Sequence, residues 1–319
     1  MGKDGQARVA TAELVRTLVA PEAIDALMER SNGPAAWHLL GHLLALVLSG
    51  VLVALADGTG LELAGMFVLG VVLTHLFAPQ HECAHFSAFR SRRLNQWVAW
   101  ACGAVIMVPQ IHFRYEHHHH HKFTNLHGQD PELIPMPASF WGYLWYLGAV
   151  PYWWGSWSGI ARRSLGHLSD EERRFIPLRE RSSVVWEARV LALIYGLLAG
   201  AVLAGWTAPL TYWFFPLLLG QPLMRFIRMT EHVGCPNVAD LLQNTRTTRV
   251  AAPWRLLAWN MNFHAEHHLL PSVPYHALPR FHALVAGRVA ERQGYCHGHR
   301  EILARLRGQA VATPGQPGS

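Results

Sequence analysis

The sequence predicts an all-α integral membrane protein. Four transmembrane helices form two hairpins, interfacial helices lie beside them, and a cytoplasmic helical cap holds a histidine-rich site. Three observations carry this prediction. Hydrophobic residues make up 51% of the 319 residues and charged residues only 15%, against the roughly 25% charge of a typical soluble domain. Long apolar runs come in two pairs, each joined by a short uncharged turn. Histidine occurs 21 times, as often as Asp and Glu together, and ten of these residues cluster in three short boxes. Such a chain is too apolar to be disordered. Its four cysteines form neither a disulfide framework nor a C-x-x-C pair. The net charge of +6 would suit nucleic acid, but 13 Trp and the apolar runs assign it to the basic inner face of a membrane protein.

Residues 1–36 read as an N-terminal cytoplasmic or interfacial segment without a signal-peptide pattern. Within it, Val9 to Met28 shows the loose periodicity of one amphipathic helix. The main domain spans 37–307, and 308–319 reads as a disordered tail. The four spans are Trp37–Leu55, Leu61–Ala78, Trp186–Gly205 and Ala208–Met224. A 19-residue span at about 1.5 Å per residue covers roughly 28 Å, close to the hydrocarbon thickness. The turns Asp57-Gly58-Thr59-Gly60 and Trp206-Thr207-Ala208-Pro209 contain no Lys or Arg. The flanking segments carry Arg90, Arg92, Arg93, Arg225 and Arg228, and an arginine-rich stretch over 162–181 reads as a solvated face. The positive-inside rule therefore puts the turns outside and the boxes in the cytoplasm. Trp97–Val108 is too short to span. Phe140–Ile160, broken by Pro151 and rich in Trp and Tyr, reads as interfacial, because a fifth span would separate the boxes across the membrane.

The first box is His81-Glu82-Cys83-Ala84-His85, with two imidazoles at i and i+4 on one helix face. The second lies in a run of five histidines, where His117, His120 and His121 have the spacing i, i+3, i+4. The third, His264-Ala265-Glu266-His267-His268, repeats that spacing. These boxes offer eight nitrogens, and His232, after the fourth apolar run, offers a ninth. One ion cannot use so many. Nine nitrogens shared as four and five fit two open-sided metal ions, and imidazole suits Zn, Cu, Fe and Ni. His38, His42 and His75 read as structural, His297 and His299 as surface residues, and Cys83 as core.

Boxes of the form H-x-x-x-H, H-x-x-H-H and H-x-x-H-H after two membrane hairpins resemble the membrane fatty acid desaturase/hydroxylase superfamily over about residues 37–285. Thr124-Asn125 followed by Asp130-Pro131-Glu132 is similar to the usual sequel of its second box. Glu231-His232, Asn244-Thr245-Arg246-Thr247 and Trp259-Asn260-Met261 resemble a bacterial branch that includes the desaturase of rhizobitoxine biosynthesis. The resemblance implies a non-haem di-iron oxidoreductase that desaturates a fatty-acyl or related lipid-like chain, with O2 as co-substrate. It implies His81, His85, His117, His120, His121, His232, His264, His267 and His268 as iron ligands. It also implies two electrons from an external donor, a ferredoxin or a cytochrome b5-like protein with its reductase, and a place in the bacterial inner membrane with the site on the cytoplasmic side.

Three other readings compete. A hydroxylase of the same superfamily would act on a lipid or a small amphiphilic metabolite. An intramembrane zinc protease would use the H-E-x-x-H at 81–85 with Glu82 as general base, leaving two triads unexplained. A metal transporter or sensor would spread its histidines between the two membrane faces.

Overall fold

The computed structural model describes residues 13–309. The expected tail lies almost entirely outside them, as does the start of the N-terminal amphipathic segment. The described part of that segment is two helices, residues 13–18 and α1 (Pro21–Leu27), rather than one. Pro21 starts the second, where its fixed φ suits a first helical turn and its missing N–H costs nothing.

The chain is mostly helical, and three helices are long and apolar enough to cross a membrane: Asn32–Ala56, Glu62–Ala84 and Leu178–Leu203. The first is α2. The second is α3 (Glu62–Thr74) continued by α4 (Phe77–Ala84), so the first box begins inside a candidate span, where the sequence placed it beyond one. The third includes α10 (Arg181–Leu203). The first and third expose Leu43, Val47, Leu48, Leu193 and Leu197 at 48–65% of full accessibility, apolar exposure of the kind a soluble monomer avoids. The fourth expected span is the helix α11 (Phe215–His232), entered through a π-helical turn at Leu210–Phe214. It carries Arg225, Arg228 and Glu231 and does not reach the hydropathy of the other three. It packs along α3, and Gly70 and Gly220 meet backbone to backbone at the crossing. Val53, Leu69, Leu73, Ile106 and Leu217 fill the core between these helices.

Neither remaining apolar stretch forms a span-length helix. Residues 92–105 form α5 (Arg92–Val105), which exposes Trp97 and buries Asn95, Ala99 and Cys102. The aromatic segment divides into α7 (Phe140–Leu147) and α8 (Val150–Ser164), separated by Ala149 in the left-handed region at φ 59°. The second box lies on α6 (Gln110–Phe123). The third box lies on α13 (His264–Leu269), which caps the core formed by Trp259, Phe263, Tyr275 and Phe281. A two-stranded parallel sheet, β1 (Thr247–Arg249) with β2 (Glu291–Gln293), ties this region to α15 (Tyr295–Leu306).

Two expectations about charge and exposure need correction. His299 is buried, with Nδ1 on the Tyr143 hydroxyl at 3.0 Å and Nε2 on the Phe226 carbonyl at 2.7 Å. The 162–181 stretch is not simply solvated. Arg163 and Glu172 are buried. The Glu172 carboxylate accepts from Arg162 and Arg163 and lies 3.3 Å from His112 on α6. The sequence shows the charges but not that this loop folds back onto the second-box helix. His42 and His75 are structural, as expected: their rings meet the Val72 and Val71 carbonyls.

Candidate metal centre

The nine predicted histidines converge in two groups. His81, His85, His117, His121 and His267 bring their nitrogens within 4.8 Å of one another, and so do His120, His232, His264 and His268. Opposite ligands of one ion at about 2.1 Å stand about 4.2 Å apart, so each group has the span of a single metal site. The two H-x-x-H-H triads interlock. Each gives its i, i+4 pair to one group and its i+3 residue to the other. His117 and His121 join the five-membered group while His120 joins the four. His264 and His268 join the four while His267 joins the five. His118 and His119, in the same run, belong to neither group.

Four of the rings are aimed from behind. His117 Nδ1 meets Glu132 Oε1 at 2.7 Å, and His120 Nδ1 meets both oxygens of Asp130 at 2.8 and 2.9 Å. His232 Nδ1 faces the Asn244 carbonyl at 3.2 Å. The Thr124 hydroxyl spends its one proton on the His120 carbonyl, so at 3.0 Å it accepts from His268 Nδ1. These partners put a proton on Nδ1 of four rings and leave their Nε2 lone pairs facing inward. Nε2 of His264 stands 2.9 Å from that of His232 and 3.1 Å from that of His268. Nε2 of His121 stands 3.0 Å from that of His117 and 3.1 Å from that of His267. A single ring proton on His264 cannot serve two bare acceptors. A cation at each focus satisfies all of them, and the donor set therefore fits a metal.

Electrostatics agree with this. Burial, followed by the proximity of other imidazoles, holds His85, His117, His121, His264 and His268 well below the usual histidine range and His232 and His267 at about 3. They are neutral at physiological pH, the state in which imidazole binds a cation. His120 is the exception. Burial works against its charge, but Asp130 and Glu132 outweigh burial and raise it.

Several supporting residues escaped the sequence reading. Glu187, within the third candidate span, accepts from the backbone N–H of Gln110 and Ile111 at 3.0 and 2.8 Å. It thereby caps the N-terminus of the second-box helix. Its only sequence signal is an acidic residue inside an apolar run. Glu82 and Glu266, within the boxes, point away from the nitrogens. Glu82 holds Ser87 at 2.6 Å and the Tyr275 N–H at 3.1 Å, while Glu266 holds Thr247 and His282. A protease base would need its carboxylate on a metal-bound water, whereas Glu82 Oε1 is held by Ser87 and the Tyr275 N–H. Cys83 is fully buried, as expected for a core residue.

Fold and site together define a membrane protein with two histidine groups able to bind metal. The fatty acid desaturase family profile matches residues 59–300, and the chain belongs to that family of lipid-desaturating oxidoreductases. It is 26% identical over 258 residues to the sn-1 oleoyl-lipid 12-desaturase of Anabaena variabilis, covering 70% of this chain and 68% of that one. The enzyme of the same name in Arthrospira platensis is 22% identical over 248 residues, covering 69% and 68%. A Delta(5) fatty acid desaturase of Caenorhabditis elegans is 23% identical over 250 residues, covering 68% of this chain and 55% of its own.

Proposed function

We propose that this protein introduces a carbon–carbon double bond into an aliphatic acyl chain, using O2, two irons held by the nine histidines and two electrons from a separate carrier protein. The observation that supports this best is the pair of convergent imidazole groups, five and four, each with bare nitrogens facing a common point. The overall reaction balances as one –CH2–CH2– unit, one O2, two electrons and two protons giving one –CH=CH– unit and two waters. Bound there, the iron pair supplies the oxidising power that removal of hydrogen from an unactivated carbon requires.

The chain's own residues supply placement. A cavity is lined by His81, His117, His120 and His264, by His75, Arg228 and Glu231, and by the apolar Phe77, Ala78, Met224, Ile227, Ala258 and Met261. The apolar part of this lining takes an acyl chain and excludes water from the reacting carbons. The cavity lies beside the inner part of the second candidate span, at Phe77, Ala78 and His81, which suits entry from the membrane. We read the chain as four spans in two hairpins in a bacterial inner membrane, and the arginine distribution supports boxes on the cytoplasmic side. Asp130 and Glu132 fix His120 and His117, so Asp130→Asn and Glu132→Gln are each expected to lower metal affinity about 10- to 100-fold at the group they support. Competition with a chromophoric chelator measures this.

The test of function is mass spectrometry of lipids and metabolites from cells expressing the chain beside a His267→Ala control. A species that loses two hydrogens only with the intact site identifies a desaturase and its substrate. A gain of one oxygen instead makes it a hydroxylase. No change of either kind, with reduced ferredoxin and its reductase supplied and iron bound, overturns the proposal.

A further inference from the structure

The two histidine groups are unequal, five donors against four. We infer that Glu231 provides a carboxylate ligand to the metal of the four-histidine group. The inference rests on the di-metal reading given above.

Three carboxylates approach the nitrogens, and they do so from different sides. Asp130 and Glu132 meet the Nδ1 atoms of His120 and His117, behind the rings. Glu231 alone approaches from the front. Its Oε2 lies 3.8 Å from His264 Nε2, the nitrogen that faces His232 and His268. The same carboxylate lines the cavity together with His81, His117, His120 and His264. It lies outside the 4.8 Å cluster of the four nitrogens, beside His264 at its edge.

Its surroundings leave it available. The Arg246 N–H and the Thr245 hydroxyl fix the Glu231 carbonyl, so the backbone is anchored. Among the charged groups that act on the carboxylate, which include Arg225, His120 and Glu132, Arg228 Nε and His264 Nε2 stand at 3.7 and 3.8 Å, both longer than a hydrogen bond. Arg228 gives its short contact to Glu132 instead, at 2.9 Å. There is also a charge argument. Nine neutral imidazoles supply no negative charge to two buried cations, and an anion on the metal side offsets the cost of burying them. A hard carboxylate beside imidazoles is a donor set that iron accepts.

The test uses the full chain purified in detergent after growth on iron-57, with iron per chain and Mössbauer spectra as readouts. Wild type is expected to hold two irons with two distinct quadrupole doublets. Glu231→Gln, which keeps the shape and removes the charge, is expected to lose one iron or to alter one doublet while the other stays fixed. Glu231→His, which offers nitrogen in place of oxygen, is expected to retain both irons with the same doublet altered. Unchanged iron content and spectra in Glu231→Gln overturn the inference. So does equal loss of iron in the Gln and His variants, which would make Glu231 a counter-ion to Arg228. Absence of an iron pair from the wild type would instead overturn the di-metal reading itself.

Discussion

Replacing His120 by alanine is expected to abolish product formation and to empty the four-histidine group, whereas His119→Ala, one residue away, leaves metal content intact and activity within a few-fold. The contrast follows from helix geometry. Residues 117–121 lie on the last turns of α6, where each step rotates the side chain by about 100°. His120 turns inward, is buried, and is held by Asp130. The His119 ring instead packs against Phe123 and Phe175 at centroid distances of 4.7 and 6.0 Å. Removal of His120 takes one nitrogen of four and leaves the buried Asp130 carboxylate without its main charged partner. Loss of one partner from a buried ionic pair is among the costlier changes a core can suffer. Because the triads interlock, the damage is also specific. His120→Ala should spare the five-histidine group, and His267→Ala should spare the other. Iron content per chain, read beside turnover, checks each case. Equal effects of His119→Ala and His120→Ala would show that the run acts as an unstructured metal-binding tract.

The boxes were legible because helical spacing is a local property. Positions i, i+3 and i+4 share a face whatever the rest of the chain does, and the eight box histidines come together with His232, which was read from its position and the family resemblance. The division of each triad between two groups was not legible, since it depends on how α6 and α13 face each other across a separation of 147 positions in the chain, from 117 to 264. The aiming residues near the second box, Thr124, Asp130 and Glu132, were visible only as a family-like sequel. Their physical reason is the hydrogen bonds they make to His268, His120 and His117. Glu187 was missed because it acts on backbone 76 and 77 residues away. Three of the four expected spans coincide with helices long and apolar enough to cross a membrane, and the fourth is not among them. The inner half of α11 is polar on purpose of geometry: Arg228 and Glu231 face the cavity and the histidines rather than lipid. The same local blindness made Arg163, Glu172 and His299 look like surface residues.

The crossing of α3 and α11 should be the least tolerant point of the membrane region. A Cβ on Gly70 would overlap the Pro216 carbonyl, and a Cβ on Gly220 would overlap the Gly70 carbonyl. Both clashes are with backbone, so no side-chain rotation relieves them. Small residues at a helix crossing let backbones approach this closely, and dispersion and packing then hold the pair without help from a hydrophobic effect in lipid. Gly70→Ala and Gly220→Ala are each expected to destabilise the fold by about 1–3 kcal/mol, the usual cost of overpacking, and Gly70→Leu by more. Gly200, on the exposed face of α10, has nothing within 4 Å of an added Cβ. Gly200→Ala should therefore leave stability unchanged or raise it by up to about 1 kcal/mol. Thermal unfolding in detergent, followed by size-exclusion fluorescence, compares the three alanine variants. Activity should fall further than stability alone predicts. The far end of α11 carries His232, and the chain beyond α3 carries His81 and His85, so spreading the crossing moves the nitrogens of one group relative to those of the other. Equal melting of Gly70→Ala and Gly200→Ala would show that the helices do not meet at this point.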